Sequence, residues 1–359
     1  MTVDLITTMP NRYASFDVDA KGYEEIGNTR VHRIQLPDHK SGFLDQAKAF
    51  FSYMLEARKI ASAQSYDVVF ATSSRLFTAF LGALIARQKK TPLYLDIRDI
   101  FVDTVADILP APILFPLKPF FVLVEKYTFN SASKINLVSK GFSGYFEKKF
   151  PGKFYRWYTN GIDPDFQGSA ESSPELGNDR TRLLYAGNIG EGQGLDAIIP
   201  KLALRLGEDY EILVIGDGGK KEKLKQSLRE MGVDNVTLRN PVSRDQLIRE
   251  YNQADILFLH LNDYPAFEKV IPSKIFEYAA VGKPILAGVK GYPKTFIESE
   301  VSNANTFDPC NDVSAEAAIK GLALSITDRE EFVKKFGREK IMKDLVDDLL
   351  VVIEERGDS

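Results

Sequence analysis

Residues 270–288 read VIPSKIFEYAAVGKPILAG. Pro272 and Ser273 stand where a helix starts, and Gly282 stands where one stops. The run KPILAGV (283–289) that follows is short and apolar, as a buried strand is. The stretch therefore predicts a loop, a short helix and a core strand. Lys274 falls in the first helical turn, where the helix dipole favours negative charge. A cation there fits a strongly anionic group bound at the helix start.

Working outward, strands and helices alternate. In the second half RLLYAG (182–187), YEILVIG (210–216), NVTLRNP (235–241), DILFLHL (255–261) and ANTFDP (304–309) read as strands. KEKLKQSLREMG and RDQLIREYNQA read as helices, with Leu247, Ile248 and Tyr251 at helical spacing. In the first half VDLITT (3–8), RVHRIQL (30–36), DVVFAT (67–72), PLYLDIR (92–98) and KINLVS (134–139) read as strands, and 44–62 and 75–90 as helices. Short apolar strands between helices imply parallel sheets covered on both faces. The polar stretch 163–181, rich in Ser, Gly, Pro and acids, reads as the linker. The fold class expected is α/β: two doubly wound domains facing a central cleft. Ligands in such sheets bind outside the carboxyl ends of the strands.

A chain of 359 residues suits two domains. With 46 Lys and Arg against 50 Asp and Glu, net charge is −4, which offers no basic field for nucleic acid. Cys310 is the one cysteine, so no disulfide forms within the chain, which fits a reducing, cytoplasmic compartment. His32, His39 and His260 are the only histidines, and none is near Cys310 in sequence. A His/Cys metal centre is not expected.

YAGNIGEGQGLD (185–196) is a strand, a loop with Gly187, Gly190, Gly192 and Gly194, then a helix. Glycines let backbone N–H groups approach a phosphate, but a plain βα loop has the same look. VIGDGGKK (214–221), with Gly216, is a second such turn. Acid pairs occur at 17–19, 163–165 and 96–99; of these only Asp99 closes a buried strand, as a cleft residue and not a metal ligand. Lys274 and Glu277 are three apart and share one helix side. They make either a surface ion pair or a divided ligand site. In the second reading Lys274 takes a diphosphate and Glu277 accepts from a vicinal diol.

TNGIDPDF (159–166), YAGNIGEGQGL, IGDGGKKEKL, NVTLRNPVSRDQLIREYNQADI and IPSKIFEYAAVGKPILA occur in this order. Together they resemble family 4 glycosyltransferases of the GT-B fold, over roughly residues 90–310, in the branch serving bacterial O-antigen or capsule. MPNRY (9–13) and DIRDIF (96–101) resemble first-domain motifs of that branch. The resemblance implies two Rossmann-like domains, at 1–160 for the acceptor and 161–335 for the nucleotide-sugar. It further implies a helix at 336–359 returning to the first domain. It implies retaining transfer of a hexosyl or N-acetylhexosaminyl group from a UDP-sugar to a lipid-linked saccharide, at the inner face of the membrane. It implies no metal and no cofactor. Gly187, Asn188, Gly190, Gln193, Gly216, Lys274 and Glu277 are the donor-binding residues it points to, and Asp99 the catalytic-cleft residue.

Three departures stand out. Members often carry a first glutamate at the position of Lys269, and Arg and Lys at the positions of Asn188 and Gln193. The diphosphate charge then falls to Lys274. Members also carry a strand, a loop and a helix before the equivalent of residues 3–13. The expectation is a chain shortened by about one βα unit, or else direct pairing of Leu5 or Ile6 with Val69 or Phe70. Residues 108–129, with Ile113, Leu114, Phe115, Leu117, Phe120 and Phe121 around Lys118, read as a membrane-surface segment or a core helix. A UDP-sugar epimerase and a degenerate nucleotide-binding homologue are the alternative functions.

Overall fold

The computed structural model describes residues 1–10, 20–37, 43–73, 75–100, 111–167 and 180–357. Readings that rest on 11–13, 17–19, His39, Phe101, 108–110 and 168–179 lie outside the described residues, as do the side chains of Ile113 and Leu114.

The second half forms a six-stranded parallel sheet of β8 (Thr181–Asn188), β9 (Tyr210–Asp217), β10 (Val236–Arg239), β11 (Ile256–His260), β12 (Ile285–Gly288) and β13 (Ala304–Phe307). Its order is β10-β9-β8-β11-β12-β13. The apolar runs are buried on both faces. Leu183 and Tyr185 of β8 pack with Ile198 and Leu202 of α5 (Leu195–Leu206), while Leu184 and Ala186 pack with Ile275 and Ala279 of α8 (Lys274–Val281). Two helices lie between them in sequence, α6 (Lys221–Glu230) and α7 (Arg244–Gln253).

The first half carries two sheets rather than one. β4 (Val69–Ser73), β5 (Leu93–Ile97), β6 (Lys134–Leu137) and β7 (Tyr155–Arg156) are parallel. β1 (Val3–Thr8) pairs with β3 (Thr29–Ile34), and β2 (Tyr23–Ile26) lies antiparallel on β3. The direct β1–β4 ladder is not formed: β1 bonds β3 and β4 bonds β5. The sheets are joined by side chains. Tyr66 donates to Asp4 at 2.9 Å and Tyr53 to the Ile6 carbonyl at 3.1 Å. Ile6 and Ile34 share a core with Ala57 of α1 (Phe43–Ser62) and Leu81 of α2 (Leu76–Lys89). α3 (Ala111–Ser131) and the short α4 (Ser143–Lys149) complete the half.

The chain crosses between halves twice, side by side. Ile162 N–H donates to the Phe336 carbonyl at 2.8 Å, and Arg338 N–H to the Ile162 carbonyl at 2.9 Å. After α9 (Gly291–Glu300), α10 (Asp312–Ile319) and α11 (Glu330–Phe336), the last helix, α12 (Arg338–Gly357), lies on the first half. Its Leu349 and Val352 pack with Tyr94. Asp348 accepts from the Tyr94 hydroxyl at 2.9 Å, from Lys134 at 2.8 Å and from Arg156 at 3.1 Å.

Candidate functional site

The residues expected on the donor side gather at the carboxyl end of the six-stranded sheet. Gly187 and Gly216 stand opposite each other where β8 and β9 end. A Cβ on Gly216 would lie 1.8 Å from the Gly187 carbonyl oxygen, so no larger residue fits that close approach. A Cβ on Gly187 would lie 2.3 Å from Cε of Lys274. The lysine stem thus lies flat on bare backbone at the mouth of the loop.

Asn188 and Gln193 meet each other. The Gln193 side-chain oxygen accepts from the Asn188 amide at 2.8 Å and from Gly190 N–H at 3.3 Å. They shape the loop and bring no charge to it. The turn Glu191–Gln193 is pinned from the neighbouring strand. Asn262 donates its side-chain amide to the Glu191 carbonyl at 2.8 Å and its backbone N–H to the Gly192 carbonyl at 2.9 Å. The Glu191 carboxylate accepts from Lys220 at 2.5 Å and from Tyr264 at 2.7 Å, and these bonds lower its pKa.

His260, fully buried at the end of β11, holds the loop from beneath. Its Nε2 accepts from Cys310 N–H at 2.9 Å, so the proton sits on Nδ1, which donates to the Gln193 carbonyl at 2.6 Å. Burial pushes its pKa down to about 4, against the pull of the Gln193 carbonyl. Histidine and cysteine, distant in sequence, are therefore neighbours in the fold.

Lys274 is the first residue of α8, and Ser273 before it makes no side-chain cap bond. Burial lowers the Lys274 pKa, while Glu277 raises it. The two charges stand 3.9 Å apart, each about one quarter exposed (25% and 26%). The ion pair thus exists, but it is loose. Tyr251 donates to Glu277 at 3.1 Å. Arg244 is held by Asp163 and Asp165, the latter at 2.7 Å, and the charge of Glu277 acts on it more weakly. Those two acids serve an arginine.

Asp99 sits on the first half, at the carboxyl ends of β4 and β5, lining a small cavity with Ser73, Arg75 and Glu125. Its carboxylate accepts from Ile100 N–H at 2.8 Å. Its neighbour Asp96 is buried and accepts from Thr72 at 2.7 Å, Asn136 at 2.7 Å and Arg98 at 3.0 Å. Nothing in the sequence singles out Tyr251, Tyr264 or Arg244 as site residues, while His260 and Asn262 stand at the carboxyl end of the strand 255–261, where ligands are expected. They act through contacts that sequence spacing does not mark.

Residues 169–340 match the family model described as Glycosyl transferases group 1. WcaI of Escherichia coli (strain K12), named for glycosyl transfer in colanic acid biosynthesis, is 24% identical over 184 residues. That match covers 49% of this chain and 44% of WcaI, less than half the length of the relative. Among solved structures, sucrose-phosphate synthase from Thermosynechococcus elongatus superposes with a TM-score of 0.71 at 16% identity, over 97% of this chain and 89% of that one. HepE of Anabaena, solved with UDP and glucose, gives 0.66 at 17% identity, over 90% and 86%. The fold is that of GT-B glycosyltransferases.

Proposed function

Taking the group 1 glycosyltransferase match as premise, we propose that the chain moves a sugar from a UDP-sugar to a lipid-linked saccharide, with retention, in surface-polysaccharide biosynthesis. UDP in the neighbour HepE supports the choice of donor. In the reaction the bond from the anomeric carbon to the phosphate oxygen breaks. The acceptor hydroxyl bonds that carbon and loses its proton, and UDP leaves carrying the charge. Charge growing on a leaving group is stabilised most by fixed donors in a site that excludes water. Lys274 over Gly187 is such a donor, and this contact carries the reading. Glu277, one turn on, accepts from the ribose hydroxyls. Asp99 faces the acceptor. The reading calls for no metal. Neither the epimerase nor the degenerate homologue is better supported.

Titration of UDP tests both roles. Lys274→Ala should weaken UDP binding by about ten-fold or more, the worth of one charge-assisted bond, with little change in melting temperature. Glu277→Ala should narrow the preference for UDP over 2′-deoxy-UDP. Unchanged affinity in the first, or an unchanged ratio in the second, removes that residue from the role.

The lipid-linked acceptor is supported by an exposed apolar face on α3. Phe115 is 83% exposed, Leu123 66% and Phe120 52%, while Phe121 is buried at 4%. Lys118 and Lys126 flank them. Aromatic and aliphatic side chains among lysines suit shallow insertion into an anionic surface. Among the described residues no helix is long and apolar enough to cross a membrane. Phe115→Ser with Leu123→Ser should reduce co-sedimentation with phosphatidylglycerol vesicles and leave UDP binding intact. Equal sedimentation of variant and parent would refute the membrane face.

A further inference from the structure

A second concave surface opens beside the donor cluster, where the two halves meet. It is an open cleft of about 610 Å³ lined by Gly141, Gly144, Tyr145, Lys148 and Lys149 of the first half and Lys269 of the second. At the contact between the halves, the Ser139 hydroxyl donates to the Lys269 carbonyl at 2.5 Å. Gly141 packs so closely there that a Cβ would lie 2.4 Å from the same oxygen. The Tyr145 ring is shared by the cations: Lys149 Nζ lies 4.7 Å and Lys269 Nζ 5.9 Å from its centre. At Gly144 an added Cβ would meet nothing within 4 Å, so the surface there is open backbone.

The lining carries lysines and no carboxylate. Glu125, which bonds to that lining from below, is buried and already taken by the Tyr145 hydroxyl at 2.6 Å and by Lys149. Lys148, exposed, and Lys269, half-buried, face the opening from opposite halves. The turn that carries Lys269 (Pro265–Lys269) also carries Phe267, whose ring packs on Gly192 of the donor loop. One turn thus borders both the donor loop and the cationic cleft.

We infer that this cleft binds the phosphate or diphosphate of the acceptor, which Lys148 and Lys269 bridge across the two halves. The inference rests on the glycosyl-transfer reading for the word acceptor, and on the cleft alone for the anion. Clustered ammonium groups on an aromatic floor suit a compact, multiply charged oxyanion more than a single carboxylate. An anion held from both sides also ties the two halves together at this cleft.

The test is calorimetric titration of inorganic pyrophosphate into the full chain already saturated with UDP, which blocks the donor site. A further binding event is expected, weakened about ten-fold or more in Lys148→Gln with Lys269→Gln and retained in Lys148→Arg with Lys269→Arg. UDP affinity in these variants should stay close to that of the parent, which shows that they are folded. No further binding, or binding that the glutamine pair leaves unchanged, overturns the site. Geranyl diphosphate should bind at least as tightly as pyrophosphate if the source is a lipid diphosphate. Glucuronate binding more tightly than either overturns the phosphate assignment. If UDP does not bind the parent, the donor reading fails, and pyrophosphate titrated into the free parent and the glutamine pair still scores the cleft.

Discussion

Asp348→Ala should destabilise the protein by about 3–5 kcal/mol, the cost of leaving buried charge without its partner. Lys134 and Asp348 are 7% and 9% exposed, and Arg156 and Tyr94 complete the cluster. Burial pushes the Asp348 pKa up, but Lys134, Tyr94 and Arg156 outweigh it and hold the carboxyl below its ordinary value. Its negative charge is thus worth most above the ordinary carboxylate range, and its contribution fades as pH falls through the lowered value. Urea denaturation of parent and variant at neutral pH reads the loss. A second variant, Asp348→Ala with Lys134→Met, should recover part of it, because the buried cation is then gone. A loss below about 1 kcal/mol in the single variant would mean that the cluster is solvated and adds little.

Stability should also fall on mild acidification, through His260. In the unfolded chain imidazole titrates near 6.5, and in the folded protein burial holds it at about 4. Above pH ~6.5 both states are neutral and the full contribution is present. Between there and about 4 the unfolded chain takes up a proton that the folded chain refuses, so stability drops as pH falls. Over the whole window the drop is about 3 kcal/mol. Protonation would also turn Nε2 into a donor facing Cys310 N–H and break that bond, while Nδ1–H keeps donating to the Gln193 carbonyl. Denaturation midpoints at steps from neutral pH to mild acid should fall more steeply in the parent than in His260→Gln. Parallel profiles would show that the imidazole is not the titrating group.

The second half is legible in the sequence because its strands are buried on both faces. ILFL and ILAG are apolar throughout, and their helices begin and end at residues with strong positional preference, such as Ser243 and Gly282. Lys274 stands out for the opposite reason: it contradicts the helix dipole, a conflict that makes it a candidate site residue. β2 is not legible, since YEEI is polar and mostly exposed and gains its identity from pairing with β3. The separation of β1 from β4 is equally hidden, because ladder partners are chosen by the whole fold and not by strand composition. The resemblance marks Asn188 and Gln193 as missing cations, but their mutual bond depends on a loop geometry that no spacing announces. His260 joins partners 67 and 50 residues away, and an apolar strand ending in histidine gives no hint of either.

The final helix imposes an order of events during synthesis. Tyr94, Lys134 and Arg156 emerge from the ribosome well before their partner Asp348, which is 192 residues beyond Arg156. Among the described residues, strands β8 to β13 pair only with one another. At typical elongation rates Asp348 follows Arg156 by roughly 10–40 s, long enough for the intervening sheet to form. The half that is translated second is therefore free to fold first. The half that is translated first completes its Tyr94, Lys134 and Arg156 cluster only once α12 has been released.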